Sequence, residues 1–296
     1  MRKYIGKRIL ISIFTLLLIL LILFILISFM PGSPFNDQKL SQEQIETLYR
    51  KYGLDKPLFE RYLIYVMNML RGDFGVSYSL SINTPITQLL SSRFPVSAMI
   101  GFLSMVVGSL AGIILGFCTA FYRSKPLNAV FNVITVLGIA VPSYLLAILF
   151  SYYVGYKWDM LPLIYDFRKP VSSLVMPVMS MSMVVMAVTA RFSQSEAQKV
   201  ISSDYVLFAK CQGITDSYLM IRYVILNSVL PVITVMASLL VGLITGSLVI
   251  ESMFAIPGIG SLMSTAIAAN DYNVILALSF VYSAMYIVVM LFLDIL

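Results

Sequence analysis

Long apolar runs separated by shorter polar segments dominate the pattern of this chain. Each of six runs has the roughly 20 residues that a helix needs to cross the hydrocarbon core of a bilayer. The first run is longer than the core of a signal peptide and lacks a small-residue cleavage site, so we expect it to remain as a span. The pattern therefore predicts an all-α membrane protein with six transmembrane helices, at residues 9–30, 96–122, 127–156, 171–190, 229–250 and 272–293.

Composition supports this class and removes several kinds of site. Hydrophobic residues make up 59% of the chain, charged residues make up 11%, and the mean hydropathy is +0.92. Histidine is absent, and the two cysteines, Cys118 and Cys211, are far apart in sequence. Imidazole metal sites and histidine-based catalysis are therefore excluded, and no cysteine spacing typical of metal or redox sites is present. We predict no catalytic residue, no metal site and no cofactor site in this chain.

The basic residues are concentrated on alternate loops, and the net charge is +6. By the positive-inside rule, the N-terminus and the 191–231 segment are cytoplasmic. The 31–95 segment is long enough to be translocated regardless of its charge, so we expect it outside the membrane. This topology explains the basic excess, and nucleic-acid binding is not needed. The basic residues on the cytoplasmic side are Arg2, Lys3, Lys7 and Arg8, then Arg123 and Lys125, then Arg191, Lys199, Lys210 and Arg222.

The 31–95 segment is predicted to be helical. Its apolar faces are too small for an independent domain, so we expect it to lie on the outer membrane face or to cap the bundle. Gly72-Asp73-Phe74-Gly75 repeats the kinase DFG triplet without its companion motifs, and we interpret it as a turn. Helix signals begin at Ser41 with Gln44, at Pro57, and at Thr84-Pro85, and the first two helices end at Gly53 and before Gly72.

The cytoplasmic 191–231 segment contains a short predicted helix between two spans. Asp204 is placed to cap this helix, and Gly213 is placed to end it in the left-handed conformation. The helix has two interpretations: it is a connector lying on the lipid surface, or it is a docking lever for a soluble partner.

No energy source is visible in the chain. The six predicted spans contain no Asp, Glu, Lys, Arg or His, which argues against a proton- or ion-driven transporter and against an intramembrane protease. The chain also lacks a Gly-x4-Gly-Lys-Ser/Thr phosphate loop. If the protein moves a substrate actively, the energy must enter from a partner, and the 191–231 segment is the expected place.

Glycines and prolines punctuate the spans. Glycines four residues apart allow close approach of another helix, either within this chain or in a second subunit. We expect Pro142 and Pro177 to kink the third and fourth spans. The spaced glycines are Gly108, Gly112 and Gly116 in the second span and Gly242 and Gly246 in the fifth.

The stretch between the last two spans, IESMFAIPGIGSLMSTAIAANDY, is predicted to form an outer turn and a short helix. Pro257-Gly258 and Gly260 are expected to break the stretch into this turn and a re-entrant or surface helix at the outer face. Glu251 is either a gate or substrate contact or a helix-end carboxylate facing water, and the pattern favours the second. The sequence stops at Leu296 with the sixth span and without a basic tail, so we expect a truncated C-terminus.

Several stretches resemble the permeases of binding-protein-dependent ABC importers. DYVLFAKCQG, with Pro231 eighteen residues after Gly213, is similar to the cytoplasmic EAA loop of the dipeptide/oligopeptide branch. Leu207 and Phe208 stand where the general pattern has Glu-Ala. MPGSPF, with Phe35, resembles the first oligopeptide permease subunit. The other matching stretches are IESMFAIPGIG, RGDFGVSYS and FPVSAMIG.

The resemblance implies a single transmembrane permease domain over 1–296, in a bacterial cytoplasmic membrane and in contact with lipid. It implies a second homologous permease, two ATP-binding subunits that hold ATP and magnesium, and an extracytoplasmic peptide-binding protein. It also implies two sets of site residues. Those coupled to the ATPase are Asp204, Tyr205, Ala209, Lys210, Gly213, Asn227 and Pro231, and those of an outer gate are Glu251, Pro257, Gly258 and Gly260.

The resemblance implies import of oligopeptides by alternating access. Dipeptides or metal chelates such as nickel complexes are the alternative cargo within the same class. A secondary transporter is a remote alternative, and a membrane enzyme or a signalling sensor is more remote still.

Overall fold

A computed structural model describes residues 2–29, 42–121 and 125–295 of the chain. Within these ranges the secondary structure is helical, apart from one antiparallel bridge between Val76 and Pro85. The MPGSPF stretch and the predicted cap at Ser41 lie outside the described residues. The helices are α1 Arg2–Ser28, α2 Gln42–Lys51, α3 Leu58–Leu70, α4 Ile86–Phe121, α5 Lys125–Ala140, α6 Ser143–Phe150, α7 Pro170–Ile201, α8 Asp204–Cys211, α9 Asp216–Leu219, α10 Leu226–Ile244, α11 Leu248–Met253, α12 Ile259–Ala268 and α13 Tyr272–Ile295. Two π-helical segments, Ser151–Lys157 and Met220–Ile225, follow α6 and α9.

Among the described residues, five helical stretches are long and apolar enough to cross a membrane, and a bent pair adds a sixth. The bent pair, Asn128–Ala140 and Ser143–Lys157, meets at 101°. Pro142 stands at this break with an extended backbone (ψ 138°), so the predicted kink in the third span is confirmed. Pro177 lies inside α7, which continues from Pro170 to Ile201.

Two helices are longer than their apolar runs predict. The third helix of the 31–95 segment and the second span form one helix, α4, which contains Pro95. The fourth span does not end near residue 190, because α7 continues to Ile201. The first part of the 191–231 segment is therefore an extension of the fourth span.

The chain divides into two compact units. One unit comprises Met1–Val96 and Pro257–Leu296, and we call it the terminal unit. The other comprises Ser97–Ile256, and we call it the central unit.

The core of the terminal unit joins α1, α3 and α13. Tyr62 and Met69 of α3 are buried in one apolar cluster with Leu20 and Phe24 of α1. The Tyr62 hydroxyl also donates a hydrogen bond to the Leu17 carbonyl oxygen at 2.9 Å. We expected the 31–95 segment either to lie on the outer membrane face or to cap the bundle. Its helix α3 packs against helices of the bundle and therefore has the second placement.

The predicted turn at 72–75 is present in the terminal unit. Gly72 and Gly75 have φ values of 80° and 73°, which strongly favour glycine. The Asp73 carboxylate accepts a hydrogen bond from the Gly75 N–H at 2.8 Å. Beyond the turn, the Asn273 side chain donates to the Val76 carbonyl at 2.8 Å and so joins this loop to α13.

In the central unit, α7 packs against α5, α6 and α10. The glycines of α4 lie against α7: a Cβ at Gly108 would be 2.6 Å from the Ser182 carbonyl oxygen, and one at Gly112 would be 2.6 Å from that of Met186. These glycines therefore serve packing within the chain. A Cβ at Gly242, by contrast, would meet nothing within 4 Å.

Candidate functional site

The short helix of the 191–231 segment is α8, and it begins differently from the prediction. Ser203, and not Asp204, occupies the N-cap position, with φ −78° and ψ 150°. Its hydroxyl donates to the Val200 carbonyl oxygen at 2.5 Å instead of accepting from α8. The prediction that Asp204 caps the helix is wrong, because the extension of α7 leaves only a two-residue turn. Asp204 is the first helical residue, where its negative charge interacts favourably with the helix dipole.

The end of α8 follows the prediction. Gly213 has φ +79°, in the left-handed region. Its N–H donates to the Lys210 carbonyl at 3.0 Å, and the Ile214 N–H donates to the Ala209 carbonyl at 3.4 Å. A Cβ at Gly213 would meet nothing within 4 Å. Only the backbone conformation therefore opposes a larger residue here.

The two faces of α8 differ in their surroundings. Val206 and Ala209 are buried in an apolar cluster, so α8 is attached to the central unit. The other face presents Tyr205, Leu207 and Phe208, which are 45%, 61% and 64% exposed. The buried partners of Val206 and Ala209 are Phe117 of α4, Ala197 of α7, Leu219 of α9 and Val224.

A cavity of about 710 Å³ adjoins this helix in the central unit. Lys210 and Asp216 line it with opposite charges, and Met220 and Ile221 line it with apolar groups. We define the α8 surface as three exposed apolar or aromatic residues of the helix, its ending glycine and the polar residues of this cavity: Tyr205, Leu207, Phe208, Gly213, Lys210, Asp216 and Ser217.

Two residues predicted for the same site lie on another helix. Asn227 and Pro231 belong to α10, which starts at Leu226 and continues through the proline. The Asn227 side chain donates to the Tyr223 carbonyl at 2.6 Å and so supports the junction between the π-helical segment and α10.

Glu251 does not face water as the pattern favoured. It is 1% exposed, and the Ser97 hydroxyl donates to its Oε1 at 2.8 Å. The reason is a change of direction: α10 ends at Ile244, Gly246 has φ +83°, and the six-residue helix α11 starts afresh with Ser247 as its cap. Glu251 therefore lies inside the central unit.

The remaining predicted gate residues belong to the terminal unit. Gly258 occupies the N-cap of α12, where its N–H donates to the Ser261 hydroxyl at 3.1 Å. Gly260 lies in the first turn of α12, so a short helix follows the break as predicted. Pro257 precedes the cap. The four predicted gate residues thus fall in two different units.

Comparison with known families decides the class. The family model described as "Binding-protein-dependent transport system inner membrane component" matches residues 108–296, and the model of its N-terminal region matches 1–101. The chain belongs to this family. It is a multi-pass inner-membrane permease subunit of ATP-driven ABC importers and not an enzyme. Importers of this family work with ATPase and substrate-binding partners.

The permease has relatives over its whole length. It is 37% identical to the dipeptide transport system permease protein DppB of Lactococcus lactis subsp. cremoris, covering 100% of this chain and 97% of that one. It is 31% identical to DppB of Bacillus subtilis, covering 99% and 95%. It is 29% identical to the oligopeptide transport system permease protein OppB of Haemophilus influenzae, covering 100% and 97%.

A solved structure shares the fold of the permease. The crystal structure of an amino acid ABC transporter with histidines aligns over 71% of this chain and 92% of that one, with a TM-score of 0.57. The sequence identity is 14%, so the likeness concerns the fold alone.

Sequence reasoning missed Val206 and Ser97, which hold the α8 surface and Glu251 in place, and it placed Ala209 at the contact with the ATPase although Ala209 is buried. Val206 and Ala209 have the i, i+3 spacing of one helix face, and this signal was available. Ser97 gave no signal, because it is 154 positions away from Glu251 in sequence.

Proposed function

We propose that this permease pairs with a second permease subunit to import oligopeptides across the cytoplasmic membrane. Two ATP-binding subunits supply the energy, and an extracytoplasmic peptide-binding protein delivers the cargo. The N-terminus and the α8 surface lie in the cytoplasm, and residues 1–296 work as one permease domain. The names of the relatives and the basic loops beside the predicted spans support this assignment.

The α8 surface carries the proposal. A short helix between two spans exposes Tyr205, Leu207 and Phe208, although its other face is buried. Aromatic and large aliphatic side chains exposed together are typical of a surface that a partner covers. Lys210 and Asp216 add one charge of each sign beside them. These features fit a seat for an ATP-binding subunit better than a connector lying on lipid.

The buried face explains how motion is transmitted. Val206 and Ala209 pack against Ala197 of α7 and Val224, which leads into α10. A displacement of α8 by the ATP-binding subunits therefore acts directly on two long helices of the central unit. In this mechanism, closure of the ATPase pair moves α7 and α10 and switches the peptide pathway through the permease between inward and outward access.

Glu251 takes a positioning role in this proposal. Its carboxylate is buried and accepts a hydrogen bond from Ser97, which begins the central unit. A carboxylate held in this way fixes the junction of α10 and α11 near the proposed outer gate. In the terminal unit, Pro257, Gly258 and Gly260 shape the start of α12.

Import of dipeptides is a second candidate. The relatives with 37% and 31% identity are both named for dipeptide transport. Uptake of a labelled dipeptide and of a labelled pentapeptide by membrane vesicles, with the matching binding protein, separates the two. Saturation by dipeptides alone would assign the second candidate.

The test of the docking surface replaces Leu207 and Phe208 together by serine. We expect the permease to remain in the membrane, while the ATP-binding subunits co-purify at about a tenth of the wild-type level or less, because two anchoring side chains are lost. Peptide uptake falls in parallel. Cys211→Ser, on the same helix, is the matched control, and it leaves both measurements unchanged. Normal docking in the Leu207→Ser/Phe208→Ser variant would reject the proposal.

A further inference from the structure

A second cavity lies in the terminal unit, away from the α8 surface. Its volume is about 370 Å³, which is within the range of small-molecule sites. Phe24, Ile27 and Ser28, in the last turn of α1, form one side. The other sides come from α2, α3 and the start of α13. The proposed import mechanism does not use this cavity.

Basic side chains dominate its lining. Arg50, Lys51, Lys56 and Arg61 line the cavity together with a single acid, Asp73. The ammonium of Lys56 is already paired with Glu60 at 2.8 Å, and Asp73 accepts from the Gly75 N–H. Among the described residues, Arg50, Lys51 and Arg61 form no ion pair. The charged side chains that line the cavity therefore have an excess of positive charge.

Aromatic rings hold two of these cations in place. The Arg61 guanidinium lies 5.5 Å from the centre of the Phe24 ring, and the Lys51 ammonium lies 5.4 Å from that of Tyr52. Such contacts orient a cation without neutralising it. Both groups remain able to bind an anion.

The depth of the cavity identifies the class of ligand. The α1 span runs from Ile5 to Ser28, and Ile22 and Leu26 near its end are exposed, as expected for a lipid-facing helix. The cavity thus lies where hydrocarbon gives way to lipid headgroups. Aromatic side chains are enriched at this level, and the basic side chains of the lining are complementary in charge to an anionic headgroup.

We propose that this cavity binds the phosphate group of an anionic phospholipid, held by Arg50, Lys51 and Arg61. Its acyl chains extend along the exposed side of α1. The site is independent of the cargo, and it fixes α2 and α3 to the membrane surface.

Native mass spectrometry of the full chain in detergent tests the assignment. The probes are phosphatidylglycerol and phosphatidylcholine at equal concentration, and we expect the anionic lipid to be retained preferentially. Arg61→Gln lowers its affinity about fivefold, because one of the cations that pair with the phosphate is lost. Arg71→Gln, at the exposed end of the same helix, is the matched control and leaves the affinity unchanged.

Two further probes test whether a soluble anion or a peptide cargo, and not a lipid, occupies the cavity. Millimolar inorganic phosphate should not displace the lipid, and a pentapeptide with a free carboxylate should not compete. Displacement by phosphate would assign a soluble anion and overturn the lipid proposal. Competition by the peptide would assign a cargo site, with the same consequence. Equal retention of both lipids, or equal affinity in the Arg61→Gln and control variants, would also overturn it.

Discussion

At the residue scale, two buried carboxylates show how this chain keeps charge away from lipid. Asp271 and Glu251 are 0% and 1% exposed. Asp271 Oδ2 accepts hydrogen bonds from the Ser77 hydroxyl at 2.5 Å and from three successive backbone N–H groups, Tyr78 to Leu80, at 3.0 to 3.1 Å. A buried carboxylate is tolerated when its oxygens are satisfied in this way. Asp271 therefore holds the 77–80 loop against the start of α13.

The Asp271→Asn variant tests this role. The amide keeps the shape of the carboxylate but loses its charge, and it cannot accept as strongly from these donors. We expect a loss of about 2 kcal/mol in stability, seen as a lower thermal unfolding midpoint in detergent. Hydrogen exchange at Tyr78, Ser79 and Leu80 should become faster. Asp73→Asn is the control, because Asp73 is exposed. Unchanged exchange at the three amides would contradict the account.

Residue-scale prediction from sequence succeeded where the signal was local. Gly53 and Gly213 were predicted to end helices, and they have φ values of 66° and 79°. The interpretation of Glu251 failed because its donor, Ser97, is distant in sequence and a carboxylate at a helix end normally faces water. The cap at Asp204 failed because the extension of α7 was not visible in the polar pattern.

At the element scale, the important feature is that α8 is attached on one face and exposed on the other. This arrangement combines Val206 and Ala209, which are buried, with a left-handed ending at Gly213. Sequence predicted the helix and its ending, but it did not predict the extra turns of α4 and α7. A polar segment with helical periodicity shows the same pattern whether it extends the preceding helix or begins a separate one. Tertiary packing decides between the two.

Gly213→Val tests whether the angle of α8 matters. The left-handed conformation costs a residue with a Cβ about 1 kcal/mol or more, and no side chain is close enough to clash. We expect normal abundance in the membrane, because the spans hold the fold, but reduced co-purification of ATP-binding subunits and reduced peptide uptake. Gly53→Val, with φ 66°, has the same strain at the end of α2 and serves as the control. Equal effects of the two variants would remove the special role of α8.

Gly112→Ala tests the packing of α4 on α7. A Cβ at Gly112 would lie 2.6 Å from the Met186 carbonyl oxygen, so the two helices must separate. We expect a loss of about 1–3 kcal/mol, measured as a lower thermal midpoint of the purified chain. Gly242→Ala is the control, since nothing lies within 4 Å of that position. If Gly242→Ala were as destabilising, the assignment of the α4 glycines to packing within the chain would fail.

At the scale of the whole molecule, composition and apolar runs were sufficient for the class. The predicted membrane protein is confirmed by helices long enough to span and by the family match. The third span was predicted as one helix, and it is present as two helices that meet at 101°. The apolar pattern did not predict an angle of this size, because both halves are apolar and only Pro142 marks the break. Orientation remains a proposal drawn from the basic loops.

The orientation is tested by labelling with a membrane-impermeant maleimide. Cys211 is exposed on α8 and is already present, whereas Cys118 is replaced by serine. A second cysteine is placed at Asp55, in the exposed loop between α2 and α3. In intact cells that lack the ATP-binding subunits, we expect Asp55→Cys to be labelled and Cys211 to remain unlabelled until the membrane is opened. The reason is that the basic loops retain α8 on the cytoplasmic side, while the long 31–95 segment is translocated. Labelling of Cys211 in intact cells would place α8 outside, where no ATP-binding subunit reaches it, and would reject the coupling role together with the orientation.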